Sequence, residues 1–249
     1  MDKTLTKGLQ LLELLALSAT PLGVTQIAEK TGLTPSNVHR LLKTLESLNY
    51  VSQAGPRGTY TATPRLFALG RAVIDRIEIV TVATPFLQRL HDFSSDSASI
   101  SIWYDRGPLM IGCVESVHRH PKRKFGGVGN PMATTCSSAG LTLLAFQGAD
   151  VIAEFAENLV PATPRSISTP EELHARLQDI RENGRAINRD ELQFGLSAVS
   201  VPIFVHNDIV AVLTVSSTSE QMSDQKIDTL IDPMKSAANG ISQMLGGGL

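Results

Sequence analysis

The chain has 249 residues, 42% hydrophobic and 18% charged, with a net charge of −2; this length suits two domains and a sizeable core in the larger. Its two cysteines, Cys113 and Cys136, make no disulfide framework and read as thiols of a reducing, cytoplasmic compartment. The apolar run Leu9 to Leu17 is broken by Gln10 and Glu13, unlike a signal peptide, and no uncharged stretch approaches the roughly 18 residues that span a membrane.

Leu5, Leu9, Leu12 and Leu15 give a first helix one apolar face. Gly23 then acts as an N-cap, with Gln26 placed to reach back to its amide. The helix this starts runs from Val24 to Thr31, and Gly32 supplies a left-handed stop. Thr34 caps a second helix whose first position is Pro35, where a missing amide costs nothing. Val38, Leu41, Leu42, Leu45 and Leu48 form its apolar stripe. The opposite face, Ser36, Asn37, His39, Arg40, Lys43 and Thr44, is dense in donors and has no acid. A short turn between two such helices is the layout that places the second in a major groove.

An ordinary amphipathic hairpin with a solvated face has the same periodicity. The following residues favour the DNA-reading layout: strands at Tyr50 to Gln53 and Thr59 to Thr63 flank a tip carrying Arg57, a wing that can lie along a phosphate backbone. Charge agrees. Up to Gly70 seven basic residues face four acidic ones, a balance of +3, while the remainder carries −5, so a basic head sits on an acidic body. Such a weak head implies that two act on one duplex.

Pro64 to about Ile79 reads as one helix with apolar residues on several sides, suited to packing on the head and on a second copy of the chain; Gly70 is its expected hinge. A helix near Pro85 to Phe93 follows, then strands Ala98 to Tyr104 and Leu109 to Ser116 around the turn Asp105-Arg106-Gly107-Pro108. Helices are expected near Ser138 to Phe146, Val151 to Asn158 and Pro170 to Asn183. Strands Leu196 to Val205 and Ile209 to Ser217 meet at His206-Asn207-Asp208, and a last helix spans Ser223 to Leu245. Hairpins flanked by helices imply an α+β antiparallel sheet covered by helices, not a doubly wound parallel one.

These features, with IAEKTGLTPSNVHRLLKTLESLNYV, the PRLFALG that follows, and the spaced Gly184-Arg185-Ala186, Asp190-Glu191, Gly195-Leu196 and Pro202, resemble the IclR family of bacterial transcription regulators over nearly the whole chain. The resemblance implies a winged helix-turn-helix over 1–63, a linker helix over 64–79, and a PAS/GAF-like effector-binding and oligomerisation domain over 80–249. It also implies dimers, often paired into tetramers, and a small organic acid or aromatic metabolite of a catabolic pathway as effector.

Independently of family, the small-residue run Thr134 to Gly140 enters a helix. Unobstructed amides there suit an anion; small residues equally permit close helix-to-sheet packing. Ala198 and Ser200 share one strand face, as do Thr214 and Ser216. Carrying over the family's effector pocket selects Ser138, Ala139, Asn188, Ala198, Thr214 and Ser216. The chain departs from the family at Asn188, commonly an acid, at Ala198, often cysteine, at Thr135, usually histidine, and at Leu141, usually lysine. These departures imply a retuned ligand.

Cys113, His118, His120 and Cys136 fit no compact zinc spacing, and Cys136 lacks the oriented partners of a nucleophile. Arg119 to Lys124 reads as a solvated hairpin tip or oligomer contact, and Gly126 to Gly129 as a glycine-rich turn without the lysine of a phosphate loop. The sequence thus predicts no metal, cofactor or catalysis, and a ligand-responsive regulator of a palindromic double-stranded operator. Asn37 and Arg40 read base edges; Ser36, His39, Lys43, Thr44 and Arg57, with Thr34 at the leading edge, hold phosphate. The rivals are a hydrolase or transferase with a fused DNA-binding head, and a winged protein-interaction module.

Overall fold

The computed structural model describes residues 2–54, 58–116, 127–130 and 132–246, which divide into two compact units, Met1–Arg76 and Ile77–Leu249.

The first unit contains α1 (Lys3–Leu17), α2 (Val24–Thr31), α3 (Pro35–Ser47), β1 (Val51–Ala54), β2 (Thr59–Ala62) and α4 (Arg65–Ile74). Local chemistry sets most of these boundaries. Asp2 caps α1 by accepting the Thr4 amide at 2.8 Å. Gln26 reaches back to the Gly23 amide at 2.9 Å, and Gly32 ends α2 in the left-handed region at φ 68. β1 and β2 pair antiparallel, and Leu22 joins them by exchanging two backbone hydrogen bonds with Tyr60.

The buried stripe of α1 differs from the expected one. Leu5 and Leu9 are 62% and 50% exposed, while Leu11, Leu12 and Leu15 are buried. Gly8 lies on the packed side, where the Leu41 side chain stands 3.8 Å from the position of a Cβ, an ordinary van der Waals separation. The stripe is therefore 8, 11, 12 and 15, an equally good helical repeat. On α3, Val38 and Leu42 are fully buried, but Leu48 lies past the helix end and is exposed.

The segment expected as one helix over 64–79 is two. α4 ends at Ile74 and α5 (Glu78–Ser94) starts in the second unit. The break falls at 75–77, not at Gly70, which is helical. α5 absorbs Pro85, whose lost amide bond is offset by burying Ala83, Leu87 and Leu90.

The second unit continues with β3 (Ser97–Tyr104), β4 (Gly107–Val114), α6 (Ser138–Leu144), α7 (Ala149–Glu157), α8 (Pro170–Asn183), β5 (Ala186–Arg189), β6 (Leu196–Val205), β7 (Asp208–Thr218) and α9 (Asp224–Met244). The strands form one antiparallel sheet in the order β4-β3-β7-β6-β5. The β3–β4 turn is tighter than expected: Asp105 and Arg106, with φ 43 and 68, make a two-residue connection whose positive dihedrals match strand twist. Gly107 and Pro108 belong to β4. The edge strand β5 escaped the sequence reading because only four residues long.

Alternation along the strands sorts the two faces. Ile100, Val199, Val201, Ile203, Leu213 and Val215 pack under α5 and α9. Val212 faces the other way, with Ala139 and Leu143 of α6. Beyond α6, a further cluster joins Leu141 and Leu144 to α7 and α8. No helix among the described residues is long and apolar enough to cross a membrane.

Candidate functional site

In the first unit, the three-residue turn Gly32-Leu33-Thr34 joins α2 to α3. It presents Thr34, Ser36, His39, Arg40, Lys43 and Thr44 exposed, with Asn37 half-buried. Thr34 is the N-cap by position, but its hydroxyl makes no capping bond and instead lies 3.3 Å from the Ser36 Oγ. Lys43 is not free of acids. Its ammonium pairs with Glu46 at 2.7 Å, and that carboxylate raises its pKa. Arg57 lies outside the described residues.

The second unit holds a cavity between α6 and the sheet, lined by Ser99, Met110, Met132, Ser137, Ser138, Ala139, Asn188, Leu192, Leu196, Ala198, Thr214 and Ser216. All six residues selected from the sequence, Ser138, Ala139, Asn188, Ala198, Thr214 and Ser216, line it. Its volume is about 40 Å³, room for a few waters or a short acid, since one water needs roughly 10–15 Å³. No lining side chain is ionisable.

Helix α6 brings its first turn to the cavity. Ser137 caps the helix, its Oγ accepting the Gly140 amide at 3.1 Å and its carbonyl the Leu141 amide at 2.9 Å. Among the described residues the amides of Ser138 and Ala139 have no protein partner, as expected of an N-terminal turn. Gly140 answers to the other expectation for this run. A Cβ there would stand 2.2 Å from the Thr134 carbonyl oxygen, so its bareness serves close packing while Ser138 and Ala139 face the cavity.

Behind the lining lie groups that fix it. Ser200 is fully buried and is not part of the wall; its hydroxyl donates to Ser138 Oγ at 2.7 Å and lies 2.8 Å from Thr214 Oγ1. Asn188 donates from Nδ2 to the Cys136 carbonyl at 2.6 Å and faces Glu191 Oε2 at 3.5 Å. The turn after β5 is pinned at Asp190, with φ 62: its carboxylate accepts the Gly195 amide at 2.8 Å and pairs with Arg165 at 2.6 Å. Thr163 and Ser166 donate to the carbonyls of Asp190 and Glu191 at 2.8 and 2.6 Å. Burial raises the pKa of Glu191, opposed by Arg176 at 3.1 Å.

Several sequence signals fall elsewhere. Leu141 is sealed in the cluster against α7 and α8, and Thr135 is buried beside Cys136; neither lines the cavity. The Cys136 thiol is fully buried and donates to the Val160 carbonyl at 3.4 Å. Cys113 is half-buried. His118, His120, Arg119 to Lys124 and Gly126 lie outside the described residues, whereas Gly127 to Asn130 form a turn closed by a 3.0 Å bond. Among the lining residues not anticipated, Ser99 was legible, since it alternates with the buried Ala98 and Ile100. Met110 was not, because a bulge at Ile100/Ser101 shifts the register of β4.

Comparison with known proteins decides the family. Residues 4–55 match the IclR helix-turn-helix domain and residues 71–243 the C-terminal domain of the bacterial transcriptional regulator IclR. The chain belongs to the IclR family. It is 28% identical over 250 residues to the DNA-binding transcriptional repressor YiaJ of Escherichia coli K12, covering 98% of this chain and 88% of that protein. The Thermotoga maritima IclR structure aligns at 26% identity with a TM-score of 0.77, covering 98% of both chains. An IclR homologue of Microbacterium hydrocarbonoxydans, solved with 4-hydroxybenzoate, shares the fold at 19% identity and a TM-score of 0.85, covering 99% of this chain and all of that one. This IclR-family chain is therefore a DNA-binding transcriptional regulator with an α+β C-terminal domain.

Proposed function

We propose that a homodimer of this regulator, itself able to pair into a homotetramer, places two α3 helices in successive major grooves of a palindromic operator, and that a small organic acid or aromatic metabolite binds in the α6 cavity. Asn37 and Arg40 read bases. Thr34, Ser36, His39, Lys43, Thr44 and Arg57 hold the backbone. α4 supplies a surface for the second copy: Phe67, Leu69 and Val73 are 76%, 45% and 62% exposed, while Leu66 packs on the head.

The observation that carries the effector assignment is that Ser138, Ala139, Asn188, Ala198, Thr214 and Ser216, drawn from four separate elements, meet in one cavity. Its narrowness favours a short acid; a ring the size of the Microbacterium protein's 4-hydroxybenzoate requires Met110, Met132 or Leu192 to move. The protein works in the cytoplasm, controls a catabolic operon and performs no chemistry on its effector.

Selection from random-sequence duplexes by the purified protein at near-physiological salt tests this reading. Enrichment of a palindrome, or of half-sites at fixed spacing, is the expected result. Equal retention of all sequences, with and without candidate acids, refutes the operator-reading role.

A further inference from the structure

Ser200 contributes nothing to the cavity wall, yet it touches two residues that do. A serine hydroxyl has one proton. Ser200 gives that proton to Ser138 at 2.7 Å, so its 2.8 Å contact with Thr214 is donated by Thr214. Ser138, already receiving a bond, keeps its own proton for the cavity. Thr214 has spent its proton backwards and offers only lone pairs. The two oxygens flank the same Ser200 hydroxyl, close enough to address neighbouring groups of one small ligand.

Asn188 repeats the acceptor on the β5 side. Its Nδ2 protons face the Cys136 carbonyl and the Glu191 carboxylate, which leaves Oδ1 as the atom it offers. The wall therefore has a fixed polarity, a donor at Ser138 and acceptors at Thr214 and Asn188, with no ionisable side chain to balance a second ligand charge.

We propose that Ser200 is a positioning residue that fixes this polarity and thereby selects a short acid carrying a hydroxyl beside its carboxylate. The proposal rests on reading the cavity as the effector site. A carboxylate only accepts hydrogen bonds and suits the Ser138 side. Its neighbouring hydroxyl donates to Thr214. A ligand lacking that hydroxyl leaves Thr214 Oγ1 buried without a donor, which disfavours binding. Without Ser200, the Thr214 hydroxyl turns to either role and the preference disappears.

Calorimetric titration of the full-length protein with lactate and with propionate, which differ only in that hydroxyl, tests the assignment. The wild type binds lactate about tenfold more tightly. Ser200→Ala brings the two affinities within about twofold by tightening propionate, whose binding no longer leaves Thr214 Oγ1 without a donor, an outcome that mere loosening of the fold does not produce. The near-isosteric Thr214→Val, which keeps the packing and removes the acceptor, also erases the preference. Retention of the wild-type ratio in Ser200→Ala overturns the role of Ser200 and leaves the cavity assignment standing; retention in Thr214→Val overturns the hydroxyl contact itself. Failure of both acids to bind the wild type overturns the cavity's reading as an organic-acid site and this inference with it.

Discussion

The Lys43 ammonium lies 2.7 Å from the Glu46 carboxylate, one turn further along α3. The side of α3 proposed to face DNA thus carries an acid at its edge, and on that proposal a phosphate must compete with it for Lys43. Glu46→Gln is expected to tighten binding to operator and random duplexes alike. It also steepens the fall of log affinity with log salt by up to about 1, because one more lysine becomes available to displace a counterion. Anisotropy titrations across a salt series check this; an unchanged slope means that Lys43 does not touch phosphate.

The proposed roles of Arg40 in specificity and Arg57 in anchoring are separable by mutation. Arg40→Ala should cost about 1–3 kcal/mol on the operator and relax discrimination, whereas Arg57→Ala should weaken every sequence equally. Parallel titrations of both variants on operator and scrambled duplexes read the difference. Equal losses for both variants on both duplexes contradict this division.

The first turn of α6 offers two distinct disruptions. Ser138→Trp fills the cavity and is expected to abolish the effector response while operator binding in the absence of effector persists. Gly140→Ala acts differently, because its Cβ would stand 2.2 Å from the Thr134 carbonyl oxygen and force the preceding backbone to move. That variant should lose about 1–3 kcal/mol of stability, as overpacked sites do, together with the response. Denaturant titrations and effector-dependent DNA binding distinguish them; a normal response in Ser138→Trp removes the effector from this cavity.

Glu191 ties the cavity's supporting turn to pH. Burial raises its folded pKa above the ordinary 4.5, so between the unfolded and folded values the native state holds more protons. Stability therefore falls as pH rises from about 4.5 through the folded pKa and is level above it. Glu191→Gln should flatten this segment of the curve, with Arg176, 32% exposed, left to solvent. Urea midpoints measured between about pH 4.5 and 7 check the sign; an identical decline in the variant assigns it to another group.

The sequence alone determined the elements whose instructions are local. Gly23, Gln26, Gly32 and Pro35 delimit the helices of the head because caps, a left-handed stop and a first-turn proline act within about four residues. Thr169, Pro170 and Glu172 start α8 by the same chemistry, with the Glu172 amide bonded to Thr169 Oγ1 at 3.2 Å, and the apolar runs around the His206-Asn207-Asp208 turn mark β6 and β7. Tertiary packing decided the rest. The leucines of α1 allow more than one apolar stripe, and packing of Leu11, Leu12 and Leu15 into the core of the first unit chose between them. Pro85, expected at a helix start, instead lies inside α5, where burial of Ala83, Leu87 and Leu90 against the sheet carries the helix through it. The motif positions indicated residues that the fold brings to one cavity. Only the fold placed Ser200 against Ser138, 62 positions earlier in the chain, because a hydroxyl's proton direction depends on partners that no local pattern specifies.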